Sequence, residues 1–483
     1  MALLETVHTE RLAKIARLKE AGMEAYPART GRTHTVEQFL ENHEVLEKNS
    51  EQVVLAGRVM SIREHGGSLF VDIFDGMKGQ CYVQRDKLGE SLYDLFIGTV
   101  DVGDVVEFSG LAFNTKRGMP SLDATGWRML AKSLRPLPDE WFGIKDEDER
   151  FRRRYIDILL TKDLAERIKR RSAFWNAFRS YLLERDFIEV ETPVLETTTG
   201  GAEARPFVTH HNALDMDVYL RISAGELWQK RLMVAGLPKT FEIGRIFRNE
   251  GMSAEHAQDY TQIEFYEAFK DYEAGMEMVT DLYRTIADKV YGTRVFTMKD
   301  VTVDLGKEWE VYDYCAIMEK EYGVNPLDEN ADWKPILTKK NIPFENTADL
   351  GRLVDTAWKQ IRKTLAGPGF LINVPVYMEP LAKKSAKDPR VVERFQVIIA
   401  GSEVGKGFSE LNDPVDQAER FKRQGELRAA GDEEAQMPDA EFVEALEYGM
   451  PPAFGFGVSE RLFSFLEGVS IREGQIFPLM RPR

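Results

Sequence analysis

Cysteine is almost missing from this chain: Cys81 and Cys315 are the only two in 483 residues. Two thiols so far apart make neither a disulfide framework nor a zinc site, and they suit a reducing compartment. No apolar run approaches the ~20 residues that a membrane-spanning helix needs, and no secretory-type apolar stretch opens the sequence. A cytoplasmic protein with no membrane attachment is therefore expected. Positive charge is in deficit: 64 Lys and Arg against 80 Asp and Glu leave a net −16. That excludes a general nucleic-acid coat, which would be basic overall. RNA binding by one local basic face stays open, because only the charge near the phosphates matters. A glycine-rich phosphate loop and a dinucleotide fingerprint are both lacking, as is any internal repeat.

What remains is 43% apolar and 30% charged, the balance of a folded soluble protein rather than a disordered one. At this length one ordinary core does not suffice, so two or more domains are expected. Residues 1–52 carry Leu12, Ile15 and Leu18 at three-residue spacing among Arg, Lys and Glu, a helical extension punctuated by Gly22 and Pro27. Over residues 53–135 the period shortens to that of strands. Val53, Leu55, Gly57 and Val59 alternate, and Phe70 to Phe74 runs into the turn signal Asp75-Gly76. Further short strands follow at Val102 to Phe108 and Gly118 to Leu122. So many strands in so few residues suggest a small barrel such as an OB-fold, or a sandwich fragment.

Residues 136–160 read as a linker. Pro136 and Pro138 precede the mixed charge run from Lys145 to Arg154, which on composition is a solvated surface. From 161 to 483 the pattern is that of a larger α+β domain. A long helix is expected from Leu164, followed by a strand-like run from Phe187 that stops at Pro193. Later the chain alternates apolar strand-like runs (Phe241 to Ile246, Thr261 to Phe265, Phe395 to Ala400) with helical ones, and many of its strand runs are half polar. That favours an antiparallel sheet flanked by helices over a doubly wound parallel one.

The chemistry concentrates in the run Phe247-Arg248-Asn249-Glu250-Gly251. Arginine beside a carboxylate is commonly a surface ion pair. It is also the material of a phosphate and carboxylate clamp, since a guanidinium offers a planar fork of donors at any useful pH. A second arginine, Arg461, follows the glycine-rich Gly455 to Glu460, and glycines there let backbone approach a flat ligand.

Order and context decide between these readings. Phe187 to Leu195, Phe241 to Glu264 and Gly455 to Leu462 resemble motifs 1, 2 and 3 of the class II aminoacyl-tRNA synthetases. Gly200-Gly201-Ala202, Thr209 to Leu214, Tyr219 to Ile222, Lys230-Arg231-Leu232 and Gly407 to Pro414 look like the lysine branch, as do Glu10 to Pro27 and Arg135 to Asp139. The resemblance covers essentially the whole chain. It implies an OB-fold that reads the anticodon of tRNA(Lys), an antiparallel catalytic domain, ATP and L-lysine as substrates with Mg2+, and a homodimer.

The resemblance also carries residue roles. Arg248, Glu250 and Arg461 match catalytic positions, with Arg248 on the α-phosphate and the substrate carboxylate and Arg461 near the γ-phosphate. Glu250, His256, Tyr260 and Glu403 match the remaining ATP contacts, and Glu403 a magnesium ligand. Gly201, Glu226, Glu264, Tyr266, Phe408 and Glu410 match the lysine pocket. A buried ammonium needs an ionised partner, so the three glutamates suit a lysine side chain. Taken singly, each reads as an ordinary surface carboxylate. Arg63, Phe70 and Gln80 match anticodon contacts, where a ring stacks on an unpaired base and an amide reads its edge. Phe70 could equally fill the barrel core.

The pattern is broken at six places. Gly225 adds a residue before Glu226. Lys406 stands for an asparagine, Gln396 for a second magnesium-binding glutamate, and Glu460 for an aspartate. Glu255 and Ala257 replace the arginine and asparagine beside His256. Two other functions compete: a related ligase that places lysine or an analogue on a protein, and a catalytically silent RNA-binding relative. The first would lack the N-terminal barrel, and the second has no need of Arg248, Glu250 and Arg461.

Overall fold

The computed structural model describes residues 2–138, 144–251, 253–298, 301–345 and 348–483, with the side chains of residues 2 and 3 left undescribed. The chain forms two compact units, Met1–Leu160 and Thr161–Arg483.

In the first unit, strands β1 (Gln52–His65), β2 (Ser68–Phe74), β3 (Lys78–Gln84), β4 (Val105–Asn114) and β5 (Pro120–Ala131) close a barrel in the order β1-β2-β3-β5-β4. Val53, Leu55, Val59, Leu69, Val71, Ile73, Cys81 and Val83 point inward, as the period of two requires. The sequence gives no comparable sign of the helix Glu90–Thr99, which inserts Tyr93 and Phe96 under the barrel, Phe96 meeting Trp127 edge-on at 5.2 Å.

The N-terminal helix Ala2–Glu20 docks differently from its expected apolar stripe. Leu18 is buried, but Leu12 is 46% exposed and its neighbour Arg11 is buried instead. The Arg11 guanidinium donates to the carbonyls of Val102, Ser133 and Arg135 at 3.1–3.2 Å. Backbone acceptors at the barrel end thus hold Arg11, while Leu12 stays exposed.

Two short helices, Glu147–Arg152 and Arg154–Leu160, occupy part of the expected linker. The charges of that run are not all solvated. Arg154 is buried and paired with Asp157 at 3.0 Å, and Asp157 also pairs with Arg150. Asp139 lies outside the described residues.

The second unit is built on an eight-stranded sheet. Its strands are β6 (Ile188–Glu189), β10 (Lys239–Phe247), β11 (Asp259–Ala268), β14 (Glu310–Asp313), β15 (Gly369–Ile372), β16 (Arg394–Ile399), β17 (Ser402–Ser409) and β18 (Ala453–Ser459). Their order is β14-β15-β16-β17-β18-β11-β10-β6. The central pairings are antiparallel, as the half-polar strands suggest, while the two edge strands β14 and β6 pair in parallel. Smaller sheets join β7 (Leu195–Glu196), β8 (Val208–His211) and β9 (Met216–Leu220), and β12 (Val295–Met298) with β13 (Val301–Asp304). The run from Phe187 to Pro193 contributes only two residues of strand.

One face of the large sheet carries the core. Ile263, Phe265, Phe395, Val397, Phe454 and Phe456 pack there with Phe174, Phe178 and Tyr181 of the long helix Lys162–Leu183. The other face carries the alternate residues: Gln262, Glu264 and Tyr266 on β11, and Lys406 and Phe408 on β17. Between these rows run the glycines of β18, with Gly457 paired to Glu264 and Lys406, and Gly455 paired to Tyr266 and Phe408.

Candidate active site

The polar face of the sheet floors a cavity of about 450 Å³ lined by Gly201, Glu226, Arg248, Glu250, His256, Tyr260, Glu264, Tyr266, Glu403, Phe408, Glu410 and Arg461. Sequence matching placed these residues in one site from widely separated segments, and the fold brings them to one cavity. Gly455 of β18 is required by space. A Cβ on Gly455 would stand 2.1 Å from Glu410 Oε1 and 2.5 Å from the Tyr266 ring.

One end of the cavity is acidic. Glu264 is buried and accepts hydrogen bonds from the Ala224 N–H at 2.8 Å, the Gln262 amide at 2.5 Å and the Tyr266 hydroxyl at 2.9 Å. Burial and the neighbouring Glu226 push its carboxyl up to about 7. Glu226 opens the helix Glu226–Val234, and the added residue Gly225 is that helix's N-cap in a left-handed conformation, φ 76°. Only glycine adopts this freely, and a Cβ there would lie 2.2 Å from Thr192 Oγ1. The extra residue is therefore the turn that aims Glu226 into the pocket.

A residue whose placement sequence reasoning missed stands among these carboxylates. Lys230 is 1% exposed, its Nζ 2.7 Å from Glu226 Oε1 and 2.5 Å from Glu410 Oε2. The ammonium also lies 5.3 Å from the centre of the Phe408 ring and 6.0 Å from that of Tyr266. Burial opposes its charge, but the two carboxylates prevail and raise its pKa. Burial pushes Glu410 up as well. The pocket thus holds three carboxyls and one resident cation, leaving negative charge for one more ammonium. The sequence signals were the Lys230-Arg231-Leu232 run and its place four residues after Glu226, one helical turn away.

The opposite end is cationic. Arg248 lies just past β10, with Nε donating to the Ile222 carbonyl at 3.3 Å and the guanidinium 5.9 Å from the Tyr260 ring centre. Tyr260 is buried against Ala224, Ile246 and Ile471 at the cavity edge. Burial raises the pKa of Glu250 despite Arg248. Arg461 opens the helix Arg461–Leu466; its NH2 donates to Glu255 Oε2 at 2.8 Å and meets His256 Nε2 at 3.3 Å. Burial and Arg461 together lower the His256 pKa. Glu403 accepts from the Trp358 indole at 2.8 Å.

The remaining departures now have places. Glu460 turns away from the cavity and accepts from Arg171 at 2.5 Å and Gln475 at 2.8 Å. Lys406 also lines the cavity and pairs with none of Glu226, Glu264 and Glu410: its Nζ is 2.7 Å from Glu379 Oε2. Burial opposes the charge of Glu379, but Arg394 and Lys406 hold its pKa down. Gln396 accepts from Arg394 at 2.6 Å and donates to the Gly405 carbonyl at 2.9 Å, so its amide is satisfied on both sides. No group of three or more metal-ligating side chains occurs among the described residues.

In the barrel, Phe70 is half-buried between core residues Leu69 and Val71 and so lies on the outer face. It stacks on Tyr82 at 4.7 Å, and Tyr82 meets Phe113 at 5.7 Å. Arg63 is exposed beside them with NH2 2.8 Å from Asp72 Oδ1. Gln80 is buried and accepts from the Ser121 hydroxyl at 3.0 Å. Tyr82 and Phe113 were overlooked in the sequence, although alternation with Cys81 and Val83 marks Tyr82 as outward.

Residues 146–481 match the family model of tRNA synthetases class II (D, K and N), and residues 53–130 match that of the OB-fold nucleic acid binding domain. The chain belongs to the class II tRNA synthetases. It is 41% identical to the lysine–tRNA ligase of Thermosipho melanesiensis over 99% of this chain and 97% of that protein. It is also 41% identical to that of Moorella thermoacetica, over 98% and 97%, and to that of Halalkalibacterium halodurans, over 98% and 96%. No helix of the described residues is long and apolar enough to cross a membrane.

Proposed function

We propose that this class II synthetase activates L-lysine with ATP to lysyl-adenylate and transfers the lysyl group to the 3′ end of tRNA(Lys) in the cytoplasm. One observation carries the reading: the acidic pocket of Glu226, Glu264 and Glu410 opens onto Arg248 in a single cavity. A lysine whose ammonium enters that pocket has its carboxylate directed to the arginine end. There the carboxylate oxygen attacks the α-phosphorus of ATP, the bond to the β-phosphate oxygen breaks, and pyrophosphate leaves. The 3′-terminal ribose hydroxyl of tRNA then attacks the adenylate carbonyl, gives up its proton and displaces AMP. Arg248 steadies both the carboxylate and the α-phosphate, and Arg461 the far phosphates, so positioning and charge neutralisation do the work.

Magnesium fits this site as a substrate-borne ion. Glu403 offers one carboxylate at the phosphate end, and such an ion takes its other oxygens from phosphates and water. It would neutralise charge on the triphosphate. Gln396, already satisfied on both sides, offers no second carboxylate.

The test is amino-acid-dependent ATP–pyrophosphate exchange. Lysine supports it; exchange with another amino acid and none with lysine ends the assignment. The protein-modifying alternative is disfavoured by the OB-fold match over residues 53–130.

Two partner assignments complete the proposal. Phe70, Tyr82 and Phe113 form an outward aromatic face suited to unpaired anticodon bases, with Arg63 and Gln80 beside it. Phe70→Ala is expected to lower tRNA charging about tenfold, since one stacked base contributes roughly 1–3 kcal/mol. Lysyl-adenylate formation stays intact, and a parallel loss of both would make Phe70 structural. Ile188, Val194, Leu195 and Val208 are exposed apolar side chains in and around β6 to β8. Such clustered apolar exposure suits a homodimer interface. Sedimentation equilibrium should give twice the chain mass, and Leu195→Glu should shift it to monomer. A wild-type monomer at micromolar concentration removes the dimer.

A further inference from the structure

The cationic end of the cavity is closed by a carboxylate. Glu255, on the loop between β10 and β11, is held 2.8 Å from Arg461 NH2 and 4.0 Å from Arg362 NH2. Arg362 comes from a segment outside the three class II motifs. It caps the helix Leu350–Ile361 and begins the 3-10 turn Arg362–Thr364. Its side chain is 13% exposed, and its NH1 lies 3.9 Å from Glu403 Oε2, too far for a hydrogen bond. Nε and NH1 of Arg362 are buried with no hydrogen-bond partner among the described residues.

Unsatisfied buried donors are costly, and their persistence calls for an ion or ligand that satisfies them. Two guanidinium groups converge on one carboxylate, and beside them Glu403 is the residue suited to a phosphate-borne magnesium ion. A terminal phosphate has more charge and more acceptor oxygens than a carboxylate, and so suits two arginine forks better.

We propose that Arg362 is a second triphosphate-binding arginine, and that the terminal phosphate of ATP displaces Glu255 from between Arg461 and Arg362. Glu255 is an internal stand-in for that phosphate. It neutralises the arginines in the free enzyme and competes with ATP for them. Position 255 thereby carries a charge opposite to the arginine the class II pattern has there, and Arg362 supplies the missing cation from another element. The inference rests on the reading of this cavity as an ATP site.

The test uses the full-length enzyme with saturating lysine, in ATP–pyrophosphate exchange and in equilibrium binding of ATP and of AMP. Glu255→Gln is expected to lower the KM for ATP several-fold, of the order that loss of one competing charge gives. Arg362→Gln is expected to raise it about tenfold or more, the effect of losing one charge-assisted contact. Neither change moves the KM for lysine, and AMP binding to Arg362→Gln stays as in the wild type, because AMP lacks the displaced phosphate. A purely structural Arg362 would weaken AMP and ATP alike, and that result overturns the proposal. So does a higher KM for ATP in Glu255→Gln, an outcome that remains decisive if Arg362→Gln fails to fold. A wild-type protein that binds no ATP would instead defeat the ATP-site reading itself.

Discussion

Arg248→Ala reduces lysine-dependent ATP–pyrophosphate exchange by a factor on the order of 10³ or more, the range seen when a donor to a reacting oxyanion or an arginine on a transferring phosphoryl group is lost. The side chain is placed for this. It lies just past β10, Nε is tethered to the Ile222 carbonyl at 3.3 Å, and the guanidinium plane is backed by Tyr260. The tether spends one donor and leaves the fork to bridge the substrate carboxylate and the α-phosphate. Arg248→Lys restores little, because an ammonium is a point charge that cannot span two groups with fixed geometry. Stability changes little in either variant, since the side chain is only half-buried. A loss below about tenfold, or a fall in thermal midpoint that matches the fall in rate, would refute the clamp.

Lys230→Met has the largest expected effect on stability. The ammonium is enclosed by Glu226 and Glu410 and shielded by Phe408 and Tyr266. Removing one member of a buried ion pair leaves uncompensated charge and costs about 3–5 kcal/mol. The pH dependence follows from the carboxyls left behind. Burial already raises Glu410 and Glu264 above their ordinary values, and loss of the cation raises Glu410 further. A carboxyl whose folded pKa lies above its unfolded one takes up protons on folding. The deficit is therefore greatest at alkaline pH and narrows as the pH falls through the raised values. Added lysine should recover part of it, since the substrate ammonium compensates the same carboxylates. Urea unfolding between pH 5 and pH 9 reads this directly. A deficit of less than about 1 kcal/mol at every pH would mean that Lys230 carries no such burden.

Two features of the pocket follow from this arrangement. With Lys230 in place, a second cation finds a site already partly neutralised, which suits a single ammonium on a long apolar stem. The glycines at 455 and 457 keep the floor low enough for that stem to lie between Tyr266 and Phe408.

Residue order alone set out the elements and the chemistry they carry. Period-two alternation marked the barrel strands and the half-polar strands of the large sheet, and the arginine and glutamate positions were legible from their motifs, because these depend on spacing along the chain. Tertiary structure decided what depends on segments meeting. The Lys230 run marks a branch by resemblance, but its ammonium joins the pocket only because the end of β17 brings Glu410 against it. Arg362 ends the helix Leu350–Ile361 and meets Glu255 only because the β10–β11 loop comes beside it. Arg11 displaced Leu12 from the barrel because carbonyls of Val102, Ser133 and Arg135 converge there, and Glu460 left the cavity because Arg171 offers it a closer partner. Local pattern records which side of a strand or helix is apolar. It does not record which charge will find its partner, since a buried ion is tolerated only where another segment compensates it.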